Sequence, residues 1–205
     1  MITGSVVEML ARNAKFAQAY KAPPGLMQMA STMKASGAGV VVVSCSDPRL
    51  NPYQILGIDQ TLRISPCSLP GMKREDCANA SGVIEATMVR NAGGRVFDAL
   101  RTLAVLQTIG SPGTIVVMHH TDCGVTHYHD SQIREALSEL APTDKTAIEA
   151  TKFGEIKGSI EDSVIEDIEI LRASPWIKES TQLIGLKYDI DTGKLDVVEQ
   201  NQAQL

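Results

Sequence analysis

The chain has 205 residues, 43% of them hydrophobic and 21% charged, which is the composition of an ordinary soluble globular domain and excludes a disordered or fibrous one. A chain of this length buries ~70% of its unfolded surface, so folding needs no disulfide staples. The 19 Lys and Arg against 24 Asp and Glu leave a net charge of -5, and no basic stripe is present to neutralise a phosphate backbone, which argues against nucleic acid as a partner.

In chain order, Val6 to Tyr20 spaces Val6, Met9, Leu10 and Phe16 at threes and fours, the period of an amphipathic helix, and Pro23 and Pro24 end it. The same N-terminal segment mixes Glu8 with Arg12, Lys15 and Lys21 and has no apolar core before a small-residue cleavage site, so it does not read as a secretory signal. No apolar run reaches the ~18 residues that cross a bilayer, so no membrane partner is expected. Gly39-Val-Val-Val-Val-Ser-Cys45 is a short β-branched run of the kind buried on both faces of a parallel sheet. Ala86 to Asn91 and Thr114 to His120 look alike, and Arg95 to Ile109 between them has helical spacing, which predicts a βαβ unit. Ser159 to Leu171 places Ile160, Val164, Ile168 and Leu171 on one face with acids on the other, and Ser174-Pro175 stops that helix. Leu183 to Ile190 and Leu195 to Val198 flank Asp191-Thr192-Gly193, a hairpin loop in which the glycine suits a left-handed position.

Strands alternating with helices, followed by a late hairpin, predict a single α/β domain: a mainly parallel central sheet flanked by helices, with an antiparallel C-terminal edge strand or hairpin. Residues 1–38 read as an N-terminal helical arm and 39–205 as the main α/β domain. The stretch from 62 to 84 has no period and reads as an inserted surface loop carrying Cys67 and Cys77.

Two strand ends carry the chemistry. Cys45-Ser-Asp47-Pro-Arg49 follows the first strand and His119-His120-Thr-Asp-Cys123-Gly124 follows a later one. Open α/β sheets bind ligands at the carboxyl ends of their strands, so both clusters converge on one crevice. Cys45, Cys123 and one imidazole make a set suited to tetrahedral zinc, with one position left for solvent or substrate. His119 and His120 are adjacent on a strand and point to opposite faces, so only one reaches the metal. Asp47 has two options: it ligates the metal and closes the site, or it pairs with Arg49 and leaves the site open. Reduced thiols put to this use are expected in the cytoplasm, with an organelle matrix as the alternative.

Cys45-Ser-Asp-Pro-Arg49, Arg90-Asn-Ala-Gly-Gly94 and His120-Thr-Asp-Cys-Gly124 together resemble the motifs of the β-class carbonic anhydrases, most of all the short branch that includes carbonyl sulfide hydrolases. The resemblance runs from about Val40 to Val198. It implies Zn2+ held by Cys45, His120 and Cys123, with Asp47 and Arg49 as the catalytic gating pair. It also implies a substrate pocket lined by Asn91, Ala92, Gly93 and Gly124, and a homodimer or higher homo-oligomer in which the N-terminal helix lies across its partner. Pro48 stands where the family usually has Ser or Ala, and the 62–84 stretch is longer than the family's usual connection.

The activity implied is hydration of CO2 to bicarbonate by a zinc-bound hydroxide. The alternative is hydrolysis of carbonyl sulfide (COS) to CO2 and hydrogen sulfide at the same site. A non-catalytic zinc-binding protein is a third reading. Two thiolates cancel the charge of the ion, so activity is expected to favour alkaline pH. His127 and His129 are candidates for a proton relay.

Overall fold

The computed structural model describes residues 4–23, 25–58 and 86–200. The insertion read at 62–84, with Cys67 and Cys77, lies outside the described residues.

Two helices lead into the sheet: α1 (Gly4–Gln18) and α2 (Leu26–Ser36). The sheet follows as β1 (Val40–Cys45), β2 (Ala86–Asn91), β3 (Thr114–His120), β4 (Gln182–Tyr188) and β5 (Leu195–Gln200), in the spatial order β2-β1-β3-β4-β5. β1 to β4 are parallel and β5 returns antiparallel on β4. The expected βαβ unit is present as β2, α4 (Val96–Ile109) and β3, and β1 is inserted between its two strands. At the hairpin, Gly193 has φ 73 and its N–H donates to the Asp189 carbonyl, a turn that suits the residue free of a Cβ. Among the described residues no helix is long and apolar enough to cross a membrane.

Alternation along the strands divides the core in two. Val41, Val43, Ile115 and Val117 pack with Val96, Ala99 and Leu103 of α4 and with Val164, Ile168 and Leu171 of α8 (Ile160–Ala173). Val42, Val116 and Met118 fill the opposite face, against Ile55, Leu56 and Ile58 in and after the short α3 (Pro52–Ile55). Each aliphatic side chain moved from water to these layers contributes about 1.5–3 kcal/mol, and β-branched residues suit the pleat. α8 begins at a capping box, in which the Ser159 hydroxyl accepts from the Asp162 N–H and the Asp162 carboxylate accepts from the Ser159 N–H.

One expectation for α8 needs correction. Its acids do not all lie outside: Asp167 is fully buried, one turn after Val164 on the same stripe. Its Oδ2 accepts from the Val96 N–H at 2.8 Å and caps α4, while Oδ1 lies 3.1 Å from Nη2 of the equally buried Arg95. Between β3 and α8 run three further helices, α5 (Gly124–His127), α6 (Asp130–Leu140) and α7 (Lys145–Ala150), for which the sequence reading offered no element.

Candidate metal centre

β1 and β3 are hydrogen-bonded neighbours, so their carboxyl ends lie side by side. Cys45 is the last residue of β1 and His120 the last of β3, and Cys123 follows three residues later. All three are buried, and their ligand atoms lie within 4.8 Å of one another. Among the described residues no other group of three such donors converges. The choice left open between the two histidines is settled by the face each one takes. His119 Nδ1 lies 2.8 Å from Ser163 Oγ and its Nε2 lies 3.2 Å from Asp167 Oδ2, on the side of α8, whereas His120 joins the two sulfurs.

The donor set fits a tetrahedral ion. Two Zn–S bonds of ~2.3 Å at the tetrahedral angle place their sulfurs about 3.8 Å apart, and Cys45 Sγ lies 3.7 Å from Cys123 Sγ. His120 Nδ1 lies 2.8 Å from the Thr121 carbonyl, which can only accept, so the ring proton sits on Nδ1 and the Nε2 lone pair is bare. Among the described residues that buried Nε2 has no hydrogen-bond partner, as expected of an atom reserved for a metal. The contact with Cys123, followed by His120 and then by the N–H groups of Asp47 and Gly93, draws the Cys45 thiol down from its ordinary pKa against the pull of burial. The Cys45 contact and burial push Cys123 up.

The other candidate residues surround this triad. Asp47 accepts from the Arg49 N–H at 2.9 Å, Nε at 3.0 Å and Nη2 at 2.7 Å. The guanidinium holds the Asp47 carboxyl down to about 2, so it is an anion at any physiological pH. Its Oδ2 lies 4.0 Å from His120 Nε2. Asn91 pairs in register with Cys45, and its side-chain amide donates to the Arg95 carbonyl at 2.8 Å. Ala92 and Gly93 lie in the 3-10 turn that follows β2, and Gly124 opens α5 directly after Cys123. Gly94 ends the 3-10 turn at φ 71, and a Cβ there would stand 2.9 Å from the Cys45 backbone nitrogen, so only glycine lets the turn approach β1 this closely.

Three contributors escaped the sequence reading or were given no separate role in it. Arg90 ties down the Cys45–Leu50 loop by donating to the carbonyls of Cys45, Asp47 and Leu50 at 3.0, 2.8 and 3.2 Å. Arg95, Asp167 and His119 form a buried polar cluster behind the triad, in which His119 Nε2 also lies 3.3 Å from the Gly94 carbonyl. Asp122 bonds both Arg49 and His127. Of the two relay candidates, His127 is connected to the site in this way, while His129 is bonded to Glu155 at 2.5 Å.

A mainly parallel sheet with a buried Cys-His-Cys triad at its strand ends and a carboxylate–guanidinium pair beside it defines an α/β protein whose strand ends could hold a metal ion. No family model matches the chain. Over 190 residues, 92% of this chain and 94% of the relative, it is 28% identical to beta-carbonic anhydrase 1 of Mycobacterium tuberculosis. It is 26% identical over 174 residues, 75% of this chain and 74% of the relative, to a carbon disulfide hydrolase of an Acidianus strain. The crystal structure of a carbonic anhydrase from Streptococcus mutans superposes with a TM-score of 0.69 at 28% identity, covering 97% of this chain and all of that one. In sequence and in fold, the chain is similar to β-carbonic anhydrases and, less extensively, to carbon disulfide hydrolases.

Proposed function

We propose that the protein is a zinc enzyme that hydrates CO2 to bicarbonate, with Cys45, His120 and Cys123 as the metal ligands and Asp47 and Arg49 as the catalytic pair. The observation that carries this reading is the convergence of two thiols and a bare imidazole nitrogen at tetrahedral spacing beside an ionised Asp47. A bound zinc would supply Lewis acidity that makes water a nucleophile.

The chain's own residues do the rest. Arg49 keeps Asp47 charged and fixes the direction of its oxygens, so the carboxylate is an obligate acceptor that orients an attacking water by its O–H. Asp47 stands close enough to the triad to compete for the same position, and Arg49 draws it away. Burial of the triad keeps the thiols from bulk solvent, and Arg90 holds the loop that carries Asp47. Asn91, Ala92, Gly93 and Gly124 form the wall of a pocket for a small linear substrate.

Residues 1–38 act as an arm in a homodimer or higher homo-oligomer, with 39–205 as the zinc domain. The support is α1, none of whose residues is buried, with Met9, Leu10 and Phe16 exposing an apolar stripe that a second copy would cover. The working thiols suit the cytoplasm.

A second reading keeps the site and changes the substrate to a sulfur-bearing analogue of CO2, carbonyl sulfide first among them. The similarity to carbon disulfide hydrolases favours it. Hydration of CO2 ranks first because the match to a β-carbonic anhydrase covers more of both chains. One zinc-loaded preparation, assayed for CO2 hydration by stopped flow and for sulfide release from COS, separates the two. Fast CO2 hydration with slow sulfide release is expected. Sulfide release without CO2 hydration selects the second reading, and stoichiometric zinc with neither activity refutes both.

A further inference from the structure

Arg49 is gripped from two sides. Its Nε and Nη2 donate to the two oxygens of Asp47 on the loop after β1. On the loop after β3, its Nη1 donates to Asp122 Oδ2 at 2.7 Å and its Nη2 to the Asp122 carbonyl at 2.9 Å. The remaining oxygen, Oδ1, lies 2.7 Å from His127 Nε2. The four side chains form a line, His127–Asp122–Arg49–Asp47, that ends at the triad.

The second grip has a physical purpose. The side chains of Arg49 and Asp122 are 49% and 52% exposed. A single ion pair in that setting fixes little, because water competes for both charges and the long arginine keeps its rotamer freedom. Two carboxylates and a carbonyl engaging one planar fork remove that freedom and set the plane of the guanidinium. Asp122 offers both its carboxylate and its carbonyl to Arg49 from a left-handed backbone, φ 54, a conformation that aspartate tolerates better than most residues.

We propose that Asp122 is a positioning residue for the Asp47–Arg49 pair: by anchoring the guanidinium at the rim it keeps Asp47 with Arg49 and away from the Cys45–His120–Cys123 donors. Asp122 acts through Arg49 and makes no contact with the reacting atoms. The inference rests on the metal-site reading given under Proposed function, and its test reads that site separately from catalysis.

Cobalt(II) replaces zinc in the full-length protein, and visible spectra are recorded at one fixed pH, where the bands report whether a carboxylate or solvent completes the coordination. Asp47→Asn gives the reference spectrum without the Asp47 carboxylate, and Arg49→Ala gives the spectrum with Asp47 released. Asp122→Ala is expected to bind one cobalt per chain and to move the ratio of the two forms about tenfold toward the Arg49→Ala spectrum. Asp122→Asn, which keeps an oxygen for Nη1, falls between Asp122→Ala and the unmodified protein. Combining Asp122→Ala with Arg49→Ala adds nothing further. An Asp122→Ala spectrum identical to that of the unmodified protein overturns the proposal, as does loss of cobalt from that variant or an additive effect in the double variant. Failure of the unmodified protein to take up cobalt overturns the metal-site reading, and this inference with it.

Discussion

Oδ2 of Asp47 stands 4.0 Å from the bare Nε2 of His120, while the same oxygen accepts from Arg49 Nη2 at 2.7 Å. One carboxylate is therefore within reach of both the metal donors and the arginine that restrains it. Substitution of either partner has an opposite structural consequence and the same functional one. Asp47→Ala removes the acceptor and Arg49→Ala releases it toward the donors. Each variant is expected to keep its zinc and to lose about 100-fold or more in kcat, measured by stopped-flow hydration alongside metal analysis. Full activity in Asp47→Ala removes this residue from the mechanism.

The ion pair also fixes a pH dependence of stability. Arg49 holds the Asp47 carboxyl down to about 2, below its ordinary value near 3.8. A lowered carboxyl pKa stabilises the folded state above the unfolded value and loses that contribution as pH falls through the folded value. The difference in urea midpoint between the unmodified protein and Asp47→Asn is expected to stay constant from pH 5 to 8 and to shrink between about pH 4 and 2. A difference that shrinks already between pH 7 and 5 assigns the effect to another group.

Gly94→Ala places a methyl group 2.9 Å from the backbone nitrogen of Cys45, at φ 71, and backbone cannot give way as a side chain tip does. The left-handed conformation alone costs about 1–2 kcal/mol, and the clash adds to it, so a loss of about 3 kcal/mol is expected. Chemical denaturation measures it. Because the strain falls on the β1 end that carries Cys45, zinc affinity falls in parallel.

Asp167→Ala leaves the guanidinium of Arg95, 1% exposed, without its buried counter-charge and uncaps α4. Removing one partner of a buried pair costs about 3–5 kcal/mol, and urea unfolding of the variant measures that loss. Glu166, which lies 2.5 Å from the same guanidinium at the surface, places the value at the lower end. A loss below about 1 kcal/mol, the scale of surface pairs, shows that Glu166 alone suffices.

Much of the site was legible because it lies at the ends of strands with unambiguous sequence. The β-branched runs at Val40–Val43 and Thr114–Val117 announce buried parallel strands, and the polar residues that end them mark the crevice. The one-in, one-out rule for His119 and His120 needed only the two-residue period of a strand. The Arg95–Asp167–His119 cluster was not legible, because its members come from β3, α8 and the residue just before α4 and pair across more than forty positions of chain. One signal was available: Asp167 falls three residues after Val164, inside the apolar stripe and not opposite it. The helices α6 and α7 were missed for other reasons. α7 has only six residues and buries only Ile148, too short to show a period, whereas α6 does repeat Ile133, Ala136, Leu137 and Leu140 at helical spacing and that signal was passed over. For Asp122, the motif around Cys123 shows the residue but not its partner, since Arg49 reaches it from the other strand end.

X-ray absorption at the zinc edge of the purified, unmodified protein tests the central claim most directly. One zinc per chain is expected, bound by two sulfurs at ~2.3 Å and one imidazole nitrogen at ~2.0 Å with an oxygen as the fourth neighbour, and Cys45→Ser or Cys123→Ser removes one sulfur and weakens binding by about 100-fold. Protein that carries no zinc after purification and reconstitution, or zinc whose sulfur neighbours survive both substitutions, contradicts the account.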